Sequence, residues 1–355
     1  MNHPAGDRSL VSVVIPAYMA EHFIQEAIAS VRVQSHRPIE VVVVEDCSPD
    51  RTAEIVQQLA QRWDIDGFGV RLVRQPTNMG GAAALARGFR EAQGDYLCWL
   101  SADDAYVGVT KLTEQVQQLR RRPGISYARS FYRGPSAADL AQDELVTTTW
   151  DPARPYMEGV MRRFPRARLL ALLFRNPING STVMIDRGSW QQFGNFDPAL
   201  GNIDQDSDMW MRYSALGAET STVDTPVGFY RIHAGQTSNL KEHCVLGAAA
   251  TRIRLIMAYE RRGALRRLLY WNWPLLALAH RWEWYTSRPL VADYLCDAGL
   301  AACANPLVRI WLKRMRSSLD AGGLVDARLA AEARRQADAT YESEEFQAFA
   351  ARLSR

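Results

Sequence analysis

The chain has little cysteine, little histidine and no long apolar run. Its five cysteines (Cys47, Cys98, Cys244, Cys296 and Cys303) form no CxxC pair and no Cys/His cluster among 355 residues. That argues against a zinc module and against a disulfide framework, and the scattered odd number fits a reducing cytoplasm. No stretch reaches the roughly 18 apolar residues of a membrane span. The opening MNHPAGDRSL lacks the apolar core of a signal peptide, so a cytoplasmic location is expected. An excess of one charge is missing too: 42 Lys and Arg face 39 Asp and Glu, a net charge of +3, which makes no case for a nucleic-acid partner. What is present is the composition of a globular protein, 47% hydrophobic and 23% charged. The length suffices for one large domain or two ordinary ones, each with its own core.

β-Branched apolar runs at 11–15 (VSVVI) and 39–44 (IEVVVV) have the character of strands buried on both faces of a parallel sheet. Between them Phe23, Ile24, Ala27, Ile28 and Val31 carry helical spacing. The pattern recurs with a helix over 52–62, a strand over 70–74, a helix over 80–92 and a strand over 96–100. Alternation of this kind predicts a mostly parallel, doubly wound α/β sheet flanked by helices, which binds ligands at the carboxyl ends of its strands. Three polar clusters fall at such ends, Ala17-Tyr18, Glu45-Asp46 and Asp103-Asp104, and they are expected to converge. A further strand is expected over 181–186 and a helix over 204–216. After about residue 240 strand signals vanish, and 244–263, 264–286, 291–319 and 326–353 read as mainly helical, with breaks at Pro274 and Pro306. We place the domain boundary there: 1–240, then an all-helical extension over 241–355.

Six stretches stand out. In VSVVIPAYMA, Pro16 sets the turn after a strand and Tyr18 offers a ring for stacking on a flat base. In VVVVEDCSPDRT, Asp46 can accept from a base N–H, Ser48 leads into the next helix, and Asp50 is placed as its N-cap. The bland alternative for both is an ordinary βα turn. In QPTNMGGAAALARGF, Gly80 and Gly81 would let the backbone approach a ligand and Arg87 could face a phosphate, although the lysine and spacing of a P-loop are missing. In GDYLCWLSADD, Asp103 and Asp104 are two adjacent carboxylates that repel each other unless a cation intervenes. Hard oxygens of this kind suit Mg²⁺ or Mn²⁺ held together with a diphosphate. The alternative is that they cap a helix starting near Val109. In GNIDQDSDMWMR, Asp204, Asp206 and Asp208 exceed what helix capping needs, and one of them could serve as a general base, while Asp208 is placed to pair with Arg212 at i+4. His233, in YRIHAGQTS, is as consistent with a structural role as with a site.

Taken in order over residues 11–240, these motifs resemble the family 2 glycosyltransferases of the GT-A fold. The resemblance implies an inverting, metal-dependent enzyme that moves a sugar from a nucleoside-diphosphate sugar to an acceptor hydroxyl, in bacterial surface polysaccharide or glycoconjugate synthesis. The acceptor would be a sugar, a lipid-linked molecule or a protein. It implies a donor pocket of Pro16, Ala17, Tyr18, Glu45, Asp46, Ser48, Gly80, Gly81, Arg87 and Asp103. The metal falls to Asp103 and Asp104, because Ser101 stands where the family's first acid is usual, and His233 would add a ligand or a phosphate contact. Gln205-Asp206 stands where the family has Glu-Asp, which makes Asp206 the base. The alternative class is a non-catalytic sugar-nucleotide-binding scaffold, which Ser101 and Gln205 favour. A nucleotidyltransferase would need a glycine-rich, lysine-bearing first loop that is missing, and a processive synthase would need an encoded membrane channel.

The tail lies outside the resemblance. Residues 264–288 set Trp271, Trp273, Trp282 and Trp284 among Arg266, Arg267, Arg281 and Arg288. Such a segment suits a membrane interface, and equally an aromatic core or a homodimer contact.

Overall fold

The computed structural model describes residues 9–65, 67–128, 132–134, 165–174, 176, 178–202, 204–224, 227–236, 239–271 and 288–353. The chain divides into two compact units that interleave in sequence: a sheet unit of Met1–Pro152, Ile178–Asn202 and Glu219–Gln236, and a helical unit of Ala153–Pro177, Ile203–Ala218 and Thr237–Arg355.

In the sheet unit the expected alternation is present: β1 (Val11–Ala17), α1 (Ile24–Arg32), β2 (Ile39–Glu45), α2 (Thr52–Arg62), β3 (Phe68–Arg74), α3 (Gly81–Glu91) and β4 (Tyr96–Trp99). Next come β5 (Ala105–Tyr106), α4 (Lys111–Arg121), β6 (Ile125–Ala128) and β7 (Tyr132–Gly134). Beyond the next helix, α5 (Pro165–Phe174), which belongs to the other unit, come β8 (Met184–Asp186) and α6 (Arg187–Phe193). The last two strands, β9 (Thr220–Val223) and β10 (Gly228–Arg231), follow α7 (Gln205–Ala215), another helix of the helical unit. Seven strands form one sheet in the order β3-β2-β1-β4-β8-β6-β9. It is parallel except at β8, which runs antiparallel to both β4 and β6. This is the mostly parallel α/β sheet that the alternation predicts. Five of the seven β1 residues and five of the seven β2 residues are buried apolar side chains, as helices on both faces require. Helix α3 lies so close that a Cβ on Gly88 would meet Val14 Cγ1 at 2.3 Å. Pro16 is not in a turn. It lies inside β1 opposite Val44, beyond the last residue paired with β4 (Val14 with Trp99), where a missing N–H costs no ladder bond.

A second sheet of three short strands, in the order β5-β10-β7, has no counterpart in the periodicity. Strands of two to four residues are too short to show a period, and their pairing is long-range. Its effect is functional: β10 brings residues 228–231 against β5, just past Asp103 and Asp104. Residues 181–186 are only half strand, since Gly180–Thr182 form a 3₁₀ turn that β8 follows.

The helical unit contains α5 and α7, and then α8 (Lys241–Arg261), α9 (Leu265–Trp271), α10 (Pro289–Ala302), α11 (Pro306–Ala321), α12 (Ala327–Tyr341) and α13 (Glu344–Arg352). The described tail is thus a series of helices joined by short turns. Pro289 and Pro306 each open a helix, where the missing N–H is harmless. Most of the Trp/Arg segment, residues 272–287 with Trp273, Trp282, Trp284 and Arg281, lies outside the described residues.

Candidate active site

Strands β2, β1 and β4 are parallel neighbours, so the three polar clusters lie at the same edge of the sheet. Ala17 is buried opposite Glu45, and the Tyr18 ring beyond it is 47% exposed, open to a ligand. The loops after β1 and β2 are tied together: Met19 N–H donates to Ser48 Oγ at 3.2 Å and Ala20 N–H to Thr52 Oγ1 at 2.8 Å, while the Glu45 carboxylate accepts from Ser48 N–H. Asp50 is not the N-cap of α2. That position is Arg51, and Asp50 instead accepts from Thr52 N–H at 3.1 Å and from Glu21 N–H at 3.2 Å.

Asp46 is buried, and its carboxylate is engaged by the chain itself. It accepts from Gln75 Nε2, Met79 N–H and Gly80 N–H, each at 2.8 Å. This carboxylate shapes the loop ahead of α3. Gly80 holds φ +87°, and a Cβ there would stand 3.1 Å from the backbone of Gly201. What approaches the glycine pair is therefore the chain's own 201–202 turn: Gly81 N–H donates to Asn202 Oδ1 and Ala82 N–H to Gly201 O at 2.7 Å. Arg87 donates to Arg74 O at 3.0 Å and so fastens α3 to the end of β3.

The Asp103–Asp104 pair divides into two roles. Asp104 is 3% exposed, and each of its oxygens has a protein donor, Ser181 Oγ at 2.5 Å and Arg231 N–H at 3.1 Å. Burial, and then the charge of Asp103, raise its pKa well above the usual carboxylate range. Asp103 is half-buried, and its Oδ2 lies 3.0 Å from His233 Nε2. A basic neighbour of the pair that sequence reading missed is Arg231, whose guanidinium is ion-paired with Glu26. Its Nε donates to Asp103 O at 2.9 Å, Nη2 to Glu26 Oε2 at 2.7 Å, and its guanidinium lies 5.3 Å from the Phe23 ring centroid. The His233 ring packs on Phe23 at 4.8 Å. The helix-cap alternative fails: α4 begins at Lys111 with Thr110 at its N-cap. Ser181 and Arg231 left no signal in the sequence because each reaches the acid pair across a gap of more than 75 residues, through β10 and the 3₁₀ turn.

Among the described residues no group of three or more His, Cys, Asp or Glu side chains could hold a metal by itself. Asp103 and His233 supply two donors, one hard oxygen and one imidazole nitrogen. Such a pair fits a Mn²⁺ or Mg²⁺ that keeps waters and takes its remaining oxygens from a diphosphate.

The second acid cluster is in the helical unit, at the start of α7. Asp208 is buried and held by two arginines, Arg212 Nε at 2.7 Å and Arg254 Nη2 at 2.6 Å. The i,i+4 pair expected from sequence is present, and although burial works the other way the two guanidiniums keep its pKa below the ordinary value. Asp204 has left-handed φ of 55°, makes no cap hydrogen bond, and pairs with Arg252. Asp206 is half-buried and contacts no arginine or lysine among the described residues. It accepts from Ser207 N–H at 2.7 Å and from Asn176 Nδ2 at 3.3 Å, and Asn176 also donates to Ser207 Oγ at 2.8 Å. Burial first, and Asp204 second, push its pKa up to about 7, the range in which a carboxylate can take a proton at neutral pH.

An open, mostly parallel sheet with acidic loops at its carboxyl edge is the architecture of the GT-A fold. A mannosyltransferase from Pyrobaculum calidifontis, solved in complex with GDP-Man and Mn²⁺, superposes with a TM-score of 0.56 over 98% of this chain and 86% of its own, at 19% identity. The model of glycosyl transferase family 2 matches residues 12–172. The putative teichuronic acid biosynthesis glycosyltransferase TuaG of Bacillus subtilis is 36% identical over 66% of this chain and 83% of its own length. The chain belongs to glycosyltransferase family 2. An uncharacterized glycosyltransferase of Rickettsia prowazekii is 28% identical over 65% of this chain and 66% of its own, and another of Haemophilus influenzae is matched over 41% of its length; the chain thus spans less than two thirds of these relatives.

Proposed function

We propose that the chain transfers a sugar from a nucleoside-diphosphate sugar to an acceptor hydroxyl by a single inverting displacement. Tyr18 and the β1 and β2 loops receive the nucleotide, Asp103 and His233 hold Mn²⁺ or Mg²⁺, and Asp206 is the base. Bound there, the metal would neutralise charge on the departing diphosphate. Asp104 and Arg231 keep the metal-binding carboxylate in place from behind. Asp206 takes the acceptor proton as the hydroxyl oxygen attacks the anomeric carbon, so no covalent enzyme intermediate is required. The observation that carries this reading is Asp206 itself: of the three acids at the start of α7, among the described residues it alone makes no ion pair with a guanidinium, and burial pushes its pKa up to about 7.

The relatives' names support a role in surface polysaccharide synthesis, and a lipid-linked acceptor fits the helical unit. On α11 Leu307 and Ile310 are 53% and 46% exposed, next to exposed Lys313 and Arg314, a pairing of apolar and basic groups that suits an anionic lipid surface. Ile310→Asp is expected to reduce sedimentation with anionic vesicles. Sedimentation unchanged by that substitution, together with a loss of self-association, would assign the face to a homodimer instead.

The test of the main proposal is a thermal-shift screen of UDP- and GDP-sugars with and without Mn²⁺, followed by an assay for nucleoside diphosphate released on adding acceptors. Mn²⁺-dependent stabilisation by one donor and acceptor-dependent release are expected. Binding without release for any acceptor would favour the scaffold reading; absence of donor binding would sink both.

A further inference from the structure

His233 stands just past the last sheet contact of β10. Ile232 N–H still donates to Gly134 O at 2.8 Å, but the His233 N–H is taken by a side chain, Gln236 Oε1 at 3.2 Å. Gln236 is buried and uses both ends of its amide, since Nε2 donates to Arg231 O while Oε1 accepts from His233. Its own N–H turns back to His233 O at 3.4 Å. Residues 231–236 are thus closed into one turn. That turn is anchored at its first residue: Arg231 N–H donates to Asp104 Oδ1 at 3.1 Å, and Arg231 Nε to Asp103 O at 2.9 Å. The His233 ring is bounded as well. Its Nδ1 edge faces the turn, where a Cβ on Gly235 would stand 3.5 Å away, and the ring lies against Phe23, 4.8 Å between centroids and tilted by 42°. Phe23 is the N-cap residue of α1, whose Ile24, Ala27, Ile28 and Val31 are buried in the core, so this platform is fixed to the sheet. The Nε2 edge is turned to Asp103, with Oδ2 at 3.0 Å.

We infer that Gln236 and Phe23 are positioning residues for the metal: they hold the His233 imidazole so that Nε2 and Asp103 Oδ2 stand ready as two adjacent ligands. The inference rests on the reading of Asp103 and His233 as the metal-binding pair. An octahedral Mg²⁺ with ligands at about 2.1 Å sets neighbouring ligands about 3.0 Å apart, the separation this pair already has. A histidine beyond the end of a sheet would otherwise lose backbone and rotamer freedom when it bound, at a cost to affinity. Gln236 removes the backbone part of that cost and Phe23 the rotamer part. Groups that touch a ligand but not the metal orient the ligand in this way at metal sites generally.

The test titrates Mn²⁺ into the full chain with UDP or GDP present. Bound metal is read by electron paramagnetic resonance, and the His233 ring by its imidazole NMR signals, identified as those missing in His233→Ala. Gln236→Met keeps the side chain's length and removes both hydrogen bonds. It is expected to weaken Mn²⁺ binding about tenfold and to move the His233 signals before metal is added. Phe23→Leu should weaken binding likewise, with Phe23→Tyr close to wild type. In a His233→Ala background Gln236→Met should cost nothing further, because its effect runs through the imidazole. An equal loss in both backgrounds would make Gln236 a general support of the fold and overturn the inference, as would wild-type Mn²⁺ affinity in Gln236→Met. If that variant does not fold, Phe23→Leu decides, and wild-type affinity there overturns the inference. His233→Ala that binds Mn²⁺ as the wild type does would be a different failure: it would remove His233 from the metal, and the positioning role with it.

Discussion

The two acid clusters, Asp103-Asp104 in the sheet unit and Asp204-Asp206-Asp208 in the helical unit, are built alike and used differently. Each contains one carboxylate consumed by the protein. Asp104 is held by a hydroxyl and a backbone N–H, but burial and the charge of Asp103 outweigh those donors and disfavour its charge, whereas Asp208 is clasped by two guanidiniums and its charge is favoured. Each also contains one carboxylate left available: Asp103 with an imidazole neighbour, and Asp206 with only neutral donors among the described residues. An acid's job here follows from its partners, and those partners arrive from distant segments.

The largest expected effect comes from breaking the clasp. Asp208→Asn leaves two buried guanidiniums without their carboxylate and is expected to cost about 3–5 kcal/mol of stability, measured by denaturant unfolding. Because the folded pKa of Asp208 is depressed, its contribution is present above the unfolded carboxylate pKa and is lost as pH falls through the folded value. A loss of activity with unchanged stability would instead place Asp208 in the chemistry.

Asp206→Asn should do the reverse, keeping stability and donor binding while turnover falls by roughly 10²-fold or more. In the wild type, turnover should decline as pH drops through about 7, where Asp206 takes up its proton; a pH-independent rate down to pH 5 would contradict the assignment. In the other cluster, Asp103→Asn should abolish the Mn²⁺-dependent part of the thermal shift with a nucleoside diphosphate, an increment of about 1–3 kcal/mol near saturation. Asp104→Asn should lower the baseline melting temperature but retain that increment. If the two exchange behaviours, the division within the pair is reversed. The smallest effect is expected from Arg87→Ala, under about 1 kcal/mol in stability and none on donor affinity, since Arg87 holds Arg74 O. A tenfold loss of donor affinity would return Arg87 to the phosphate.

Local pattern determined much of the framework by itself. The β-branched runs of β1 and β2, the helical stripe of α1, and α2 matched to the residue follow from periodicity, because burial on both faces or on one stripe must be written into consecutive side chains. The i,i+4 pair Asp208–Arg212 was legible for the same reason. Short, long-range elements were not: β5, β7 and β10 are two to four residues each. Only their pairing delivers Arg231 to the acid pair and places His233 on Asp103. Sequence marked the acids as unusual and paired Asp208 with Arg212, but it gave no sign that Asp104 would be spent or that Arg254 would join the pair. Tertiary structure decided that, since a carboxylate's charge is set by the burial and donors around it, and Ser181, Arg231, Arg252 and Arg254 reach these acids across gaps of 46 to 127 residues.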